Sequence, residues 1–203
     1  MNLLLLAALS LLQSPAPERI VYEGVINDHG KTIGTTILLE LSGQTVSGWI
    51  QKHGYVQIDK GVKTDTGYTF DAAANHYQIV TRTLRITYNG PDGAGDQHLN
   101  RMESLVGRVY KIREETEEGR ELTLQTDHGE QTMLIEQPPC VWKRSGPPIA
   151  KFDLERFEEV LGKTVTIWQI RTGGSWSLEV LEEPAGMEIL NKQQLKEKKK
   201  KKN

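Results

Sequence analysis

The sequence predicts a mainly β protein, with an N-terminal antiparallel β meander (a small barrel or sandwich) followed by a second β domain of order β-β-β-α-β-β. Three observations predict it. Between Arg19 and Asn89 apolar residues alternate in short segments broken by Gly, Asn and Asp, with no helical period of useful length. From Ser104 to Glu182 the alternation returns but is interrupted once, after Asp153, where apolar residues fall at nearly 3.6 spacing. Between these runs, Asn89-Gly90-Pro91-Asp92-Gly93-Ala94-Gly95-Asp96 is the densest breaker cluster in the chain and is expected to be a linker. The expected division is 1–17 signal peptide and linker, 18–89 first β domain, 90–103 Gly/Asp-rich linker, 104–183 second β domain and 184–203 lysine-rich tail.

Leu3 to Leu12 are apolar apart from Ser10, too short a run to span a bilayer but of the length of a secretory h-region. Export to the periplasm or the medium is the expectation. Two departures from the pattern stand beside it: no Lys or Arg precedes the run, and Pro15 and Pro17 flank the small-residue sites Ser14 and Ala16. The alternative is a buried N-terminal strand or helix, against which Gln13 to Glu18 reads as linker.

In the first domain the best-determined piece is a hairpin about Ser42-Gly43. A two-residue turn there pairs Leu39 with Val46, Ile37 with Gly48 and Thr35 with Ile50, so these residues face the core. Glu40, Ser47, Trp49 and Gln51 then take the other face. Trp49 contradicts a simple wet surface and is a candidate ligand contact. Further strands are expected at Tyr55 to Lys60, Gly67 to Ala72, Tyr77 to Arg82 and Leu84 to Tyr88.

In the second domain Leu105 to Ile112 and Glu121 to Thr126 read as half-buried strands joined by a loop rich in glutamate, Glu114 to Glu118. Asp127-His128-Gly129 turns the chain into a third strand, Gln131 to Glu136. Asp153 can cap a helix that buries Leu154, Phe157, Val160 and Leu161 and ends at Gly162. Two more strands, Lys163 to Arg171 and Ser175 to Leu181, flank Gly173-Gly174. Two registers are open for that hairpin. A two-residue turn sets Arg171 opposite Trp176 and leaves Trp168 on the other face. A three-residue turn from Thr172 gathers Trp168, Ile170, Trp176, Leu178 and Val180 as core, and it is preferred because it unites the large apolar groups.

This order resembles the oligonucleotide/oligosaccharide-binding (OB) fold, a five-stranded Greek-key barrel with a helix between its third and fourth strands. The resemblance is one of topology, over about 80 residues, and carries no diagnostic motif. It implies a ligand groove near the first strands and the closing hairpin, where Arg108, Tyr110, Lys111, Arg113, Trp142, Lys143, Arg144, Trp168, Arg171 and Trp176 supply cations and rings for stacking. Leu38 to Ile50 and Leu122 to Ile135 also share an apolar–turn–Gln-Thr–apolar pattern, which is common turn chemistry and not duplication.

Signatures of chemistry are absent from the sequence. His29, His53, His76, His98 and His128 are scattered, none spaced i+3 or i+4 from another, so no metal site is expected. Asp92 and Asp96 lack the further carboxylates of a calcium loop. No G-x-S-x-G turn, phosphate loop or cofactor fingerprint appears, so no catalytic residue and no cofactor is assigned. Cys140 is the only cysteine, which excludes an intrachain disulfide, and Pro138, Pro139 and Val141 around it offer nothing to stabilise a thiolate.

The charge is uneven. Lys192, Lys196 and Lys198–Lys202 bring seven positive charges against Glu197, so the tail carries +6 and the rest of the chain −8 within a net −2. The tail is expected to be a solvated end with at most a weak, salt-sensitive pull toward anionic surfaces. An acidic body argues against specific nucleic-acid binding. The expected function is an exported, non-enzymatic binding or structural protein of the cell envelope or extracellular space, its partner a glycan or a protein and its contacts Trp49, Arg108, Tyr110, Trp168, Arg171 and Trp176. The alternatives are a nucleic-acid-binding OB-like protein, if the leader is retained, and a hydrolase whose site has no recognised motif.

Overall fold

In the computed structural model the chain forms two compact units, Met1–Arg101 and Met102–Asn203. The structure describes residues 17–113, 119–136, 138–172, 174–187 and 200. The expected signal peptide, the glutamate-rich loop, Gly173 of the last hairpin and all of the lysine run but Lys200 lie outside the described residues.

The first unit contains β1 (Glu18–Asp28), β2 (Lys31–Ser42), β3 (Thr45–Gln51), β4 (Tyr55–Gln57), β5 (Asp59–Thr64), β6 (Gly67–Ala72), β7 (Asn75–Val80), β8 (Arg85–Gly90) and β9 (Gly93–Arg101). They run in the order β2-β1-β9-β8-β7-β6-β5-β3, and β3 pairs back onto β2, closing an eight-stranded antiparallel barrel with β4 attached to the side of β3. The expected meander is therefore a barrel. Its interior follows from period-2 alternation. Ile20, Tyr22 and Ile26 of β1, Ile37 and Leu39 of β2, Val46 and Ile50 of β3, and Phe70, Tyr77, Ile79, Ile86, Tyr88 and Leu99 of β6 to β9 form one buried cluster. Phe70 stacks on Tyr77 at 5.2 Å and Tyr77 lies 5.8 Å from Tyr88, so rings fill the bore. Gly95 makes room for them: a Cβ there would sit 2.4 Å from the Tyr88 hydroxyl oxygen.

Two expectations for this unit are corrected. The β2–β3 turn is Gly43-Gln44, one residue later than expected, so Leu41 pairs with Val46, Leu39 with Gly48 and Ile37 with Ile50. Gly43, at φ 61°, takes the left-handed position. A shift of two in register preserves the faces, and the apolar face is the core side as expected. The Gly/Asp-rich segment is not a linker, because Pro91-Asp92 is a tight hairpin turn flanked by the Gly90–Gly93 pair, and the residues after it form β9. The residue types that break a chain between domains are the ones that reverse it in two residues.

The second unit contains β10 (Glu103–Ile112), β11 (Arg120–Thr126), β12 (Gly129–Ile135), β13 (Cys140–Trp142), a 3₁₀ helix (Leu154–Val160), β14 (Thr164–Thr172) and β15 (Ser175–Glu182). Its barrel runs β10-β11-β12-β15-β14 and back to β10, with β12 and β15 parallel where they meet, and β13 adds a strand beside β15. Five strands close, and the helix lies between the third and fourth of them, which is the OB-like arrangement. Val109, Leu122, Leu124, Met133, Ile135, Phe157, Val165, Ile167, Leu178 and Leu181 make its core.

The helix is 3₁₀ where an α-helix was expected, and its three-residue turn explains which side chains it buries. Leu154, Phe157 and Val160 fall in one line and pack inward, whereas Leu161 is 51% exposed. Asp153 caps the N-terminus as expected, accepting from the Glu155 amide at 3.1 Å. In the last hairpin Thr172 pairs with Ser175 and Arg171 with Trp176, so the preferred three-residue turn is not used. A β-bulge then shifts the register, setting Trp168 opposite Val180.

Candidate functional site

Strand β10 alternates Gly107 and Val109 inward with Val106, Arg108 and Tyr110 outward. Val106 is 57% and Tyr110 61% exposed, so this strand shows water two large apolar groups with a cation between them. Arg108 donates from Nε to the Gly162 carbonyl at 2.9 Å, which draws the end of the helix to β10. Arg108, Tyr110, Gln125 and the exposed Leu161 line an open groove of about 520 Å³. Arg108 and Tyr110 are thus brought together on an accessible face.

The other expected contacts are dispersed. Trp168 is 2% exposed and packs 5.4 Å from Trp142, so it offers no face for stacking and leaves the candidate list. Arg171 lies over the Trp176 ring at 5.7 Å, and Trp176 is half-buried against the core, so the pair is occupied with itself. Trp49 belongs to the first unit, where it is half-buried on the outer face of β3 opposite Leu38 and Gln57.

Sequence reasoning missed a charged cluster at one mouth of the first barrel. The inward alternation of β1 continues past Ile26 to Asp28, and that of β3 continues past Ile50 to Lys52. The Lys52 side chain is only 7% exposed, and its Nζ lies 3.1 Å from Asp28 Oδ1 and 2.6 Å from Asp92 Oδ2. Asn75 donates to the same Asp92 oxygen at 2.6 Å. The outer oxygens meet imidazoles, with His53 Nε2 2.9 Å from Asp28 Oδ2 and His29 Nε2 3.3 Å from Asp92 Oδ1. Three turns supply the charged groups and imidazoles: β1–β2 gives Asp28 and His29, β3–β4 gives Lys52 and His53, and β8–β9 gives Asp92, while Asn75 opens β7. A hydrogen bond from the His29 amide to the Asp92 carbonyl, 2.7 Å, clips the first turn to the third.

Burial by itself would push the Lys52 ammonium down, but hydrogen bonds to Asp92 and Asp28 outweigh it and the pKa is raised. Hydrogen bonds from Lys52 and then Asn75 hold the Asp92 carboxyl below its usual value. Lys52 is therefore a fixed cation and a poor nucleophile. The available signal was the pair of opposite charges standing one inward step beyond each apolar run.

A third feature is a groove of about 430 Å³ beside the β6–β7 turn, where Asp71 Oδ1 lies 2.7 Å from His76 Nδ1. A carboxylate orienting an imidazole is one half of a hydrolytic site, but the described residues lining this groove include no Ser, Thr or Cys.

Compared with protein-family models, curated proteins and solved structures, the chain gives no significant match to any of them.

Proposed function

We propose that this chain is an exported, non-enzymatic binding protein of the cell envelope or extracellular space, and that its contact surface is the outer face of β10. The observation that carries this reading is the exposure of Val106 and Tyr110 on either side of Arg108, with Leu161 across the groove. Two aliphatic groups beside the ring favour a protein partner over a glycan, because a sugar site surrounds a stacking ring with polar donors and acceptors. Export rests on the Leu3–Leu12 run.

The OB-like topology favours one second reading, nucleic acid. The outer side of β11 and β12, which such barrels use for oligonucleotides, presents Glu121, Thr123 and Gln125 opposite Leu134, Thr132 and Glu130. Two carboxylates stand on that face, and the neighbouring Arg113 is already paired with Glu121 at 2.8 Å, which disfavours a phosphate backbone there.

The test is fractionation of the native producer together with the intact mass of the protein. Loss of roughly 14 to 17 N-terminal residues and recovery outside the cytoplasm are expected from the leader pattern. A photo-reactive residue at Tyr110 should then capture a partner, and Val106→Asp should abolish the adduct. Full-length protein in the cytoplasm would overturn the export reading and make single-stranded oligonucleotide titration the deciding experiment.

A further inference from the structure

We propose that the mouth of the first barrel is a binding site for a divalent transition-metal ion, of the zinc class, with Asp28, His29 and Asp92 as ligands and His53 beside them, against the outer oxygen of Asp28. It belongs to the first unit and needs no part of the export reading. One ligand atom from each of Asp28, His29 and Asp92 lies within 4.8 Å of the others, and the His29–Asp92 separation is 3.3 Å. Two ligands at ordinary zinc distances on a tetrahedral ion stand about 3.4 Å apart, so that pair already has the needed spacing.

The division of labour between carboxylate oxygens carries the argument. Lys52 and Asn75 hold the inner oxygen of Asp92, and Lys52 holds that of Asp28, which leaves Asp92 Oδ1 and Asp28 Oδ2 directed toward the two imidazoles. Bonds of this kind to the inner oxygens orient metal ligands in known sites. The ammonium does not exhaust the negative charge. Two carboxylates against one Lys52 leave a net −1, in a barrel end whose Asp28 side chain is 3% exposed. Imidazole mixed with carboxylate suits zinc, cobalt and nickel in preference to calcium or magnesium, which take oxygen alone. The histidines, 70% and 79% exposed, keep a path open for the ion. Because the ligands come from separate turns, β1–β2 and β8–β9, clipped together by the His29–Asp92 hydrogen bond, the site forms only when the barrel does.

The test uses the full chain, stripped with chelator and titrated with Co²⁺, reading the visible d–d bands that a tetrahedral nitrogen–oxygen site intensifies. One equivalent of Co²⁺ should bind and be displaced by Zn²⁺. His29→Ala should weaken binding at least about 10-fold, because loss of even an outer-shell partner of a ligand costs about 10–100-fold, and the His29→Ala/His53→Ala double variant should abolish it. His98→Ala and His128→Ala, both exposed and outside the cluster, should bind as the parent does. Asp92→Asn can fail to fold, but the two histidine variants change exposed side chains and keep the test decisive. Absence of d–d bands in the parent, or equal bands in the double variant, would overturn the site and leave the cluster as an ion-pair plug.

Discussion

Ala73 and Ala74 turn the β6–β7 hairpin with φ of 47° and 64°, in the left-handed region that an L side chain disfavours. Such a conformation costs roughly 1–2 kcal/mol per residue, and two-residue hairpin turns favour Asn-Gly for this reason. Ala74→Gly is therefore expected to stabilise the first barrel by about 1 kcal/mol, net of the freedom glycine adds to the unfolded chain. A urea midpoint that stays put or falls would reject the strain. Lys52 gives the opposite prediction. Lys52→Met leaves Asp28, 3% exposed, without its cation, and removing one partner of a buried pair costs about 3–5 kcal/mol. Denaturation of the variant should show the first unit unfolding well before the second, and an unchanged midpoint would mean that water already screens the pair.

At the scale of elements, β2 and β3 approach so closely at Gly48 that a Cβ there would sit 1.9 Å from the Leu38 carbonyl oxygen, with φ at 134°. Gly48→Ala is expected to cost about 2–3 kcal/mol, and amide hydrogen exchange should rise first in β2 and β3. Exchange rising evenly through the barrel would place the defect elsewhere. The same hairpin shows what the chain's pattern can carry. Alternation in β2 and β3 assigned every side chain to its face, because a slip of two residues leaves faces unchanged, but it could not fix which two residues turn. The Gly/Asp cluster misled for a related reason: breaker chemistry specifies reversal of the chain, and whether a strand or a linker follows depends on pairing with β1, far away in sequence. In the second unit the order of the five barrel strands and the helix and the cap at Asp153 were legible, whereas β13, in the Pro-rich connection, was not. Leu161 was misplaced because a 3.6 period and a 3.0 period agree over one turn and diverge by the second. Trp168 was ambiguous because the bulge that seats it across from Val180 has no local marker. Arg108 and Tyr110 were singled out as a cation and a ring near the groove that the OB resemblance implies, and both lie on the outer face of β10. The barrel-mouth cluster was not singled out, since its charged groups and imidazoles lie in three separate turns and show no short spacing.

Over the whole molecule, burial governs how the first unit meets alkali. Burial, then the neighbouring Tyr68, pushes the Tyr22 hydroxyl up to about 12, and burial also raises Tyr68 and Tyr77. A phenol is neutral when protonated, so the folded barrel retains protons that the unfolded chain releases near pH 10. The stability these groups confer is complete below that pH and is lost as pH climbs toward the folded value. In a variant with the exposed Tyr110 and the half-buried Tyr55 replaced by Phe, tyrosinate absorbance should consequently appear together with loss of the β signal, in one cooperative step above about pH 10. A smooth titration near pH 10 with the fold intact would show that water reaches Tyr22. The closure of this barrel also governs when it can exist. β1 meets β9 through only Tyr22–Arg101, Glu23–Asn100 and Gly24–Leu99, so the ring joins almost the first described residue to the last of its unit. Until the ribosome has released Arg101, the nascent meander keeps two open edges whose amides have no partners. Its assembly is a single late event, set by the slow meeting of distant segments. Under the export reading proposed above, that delay would leave the ring unclosed until the first half had crossed the membrane.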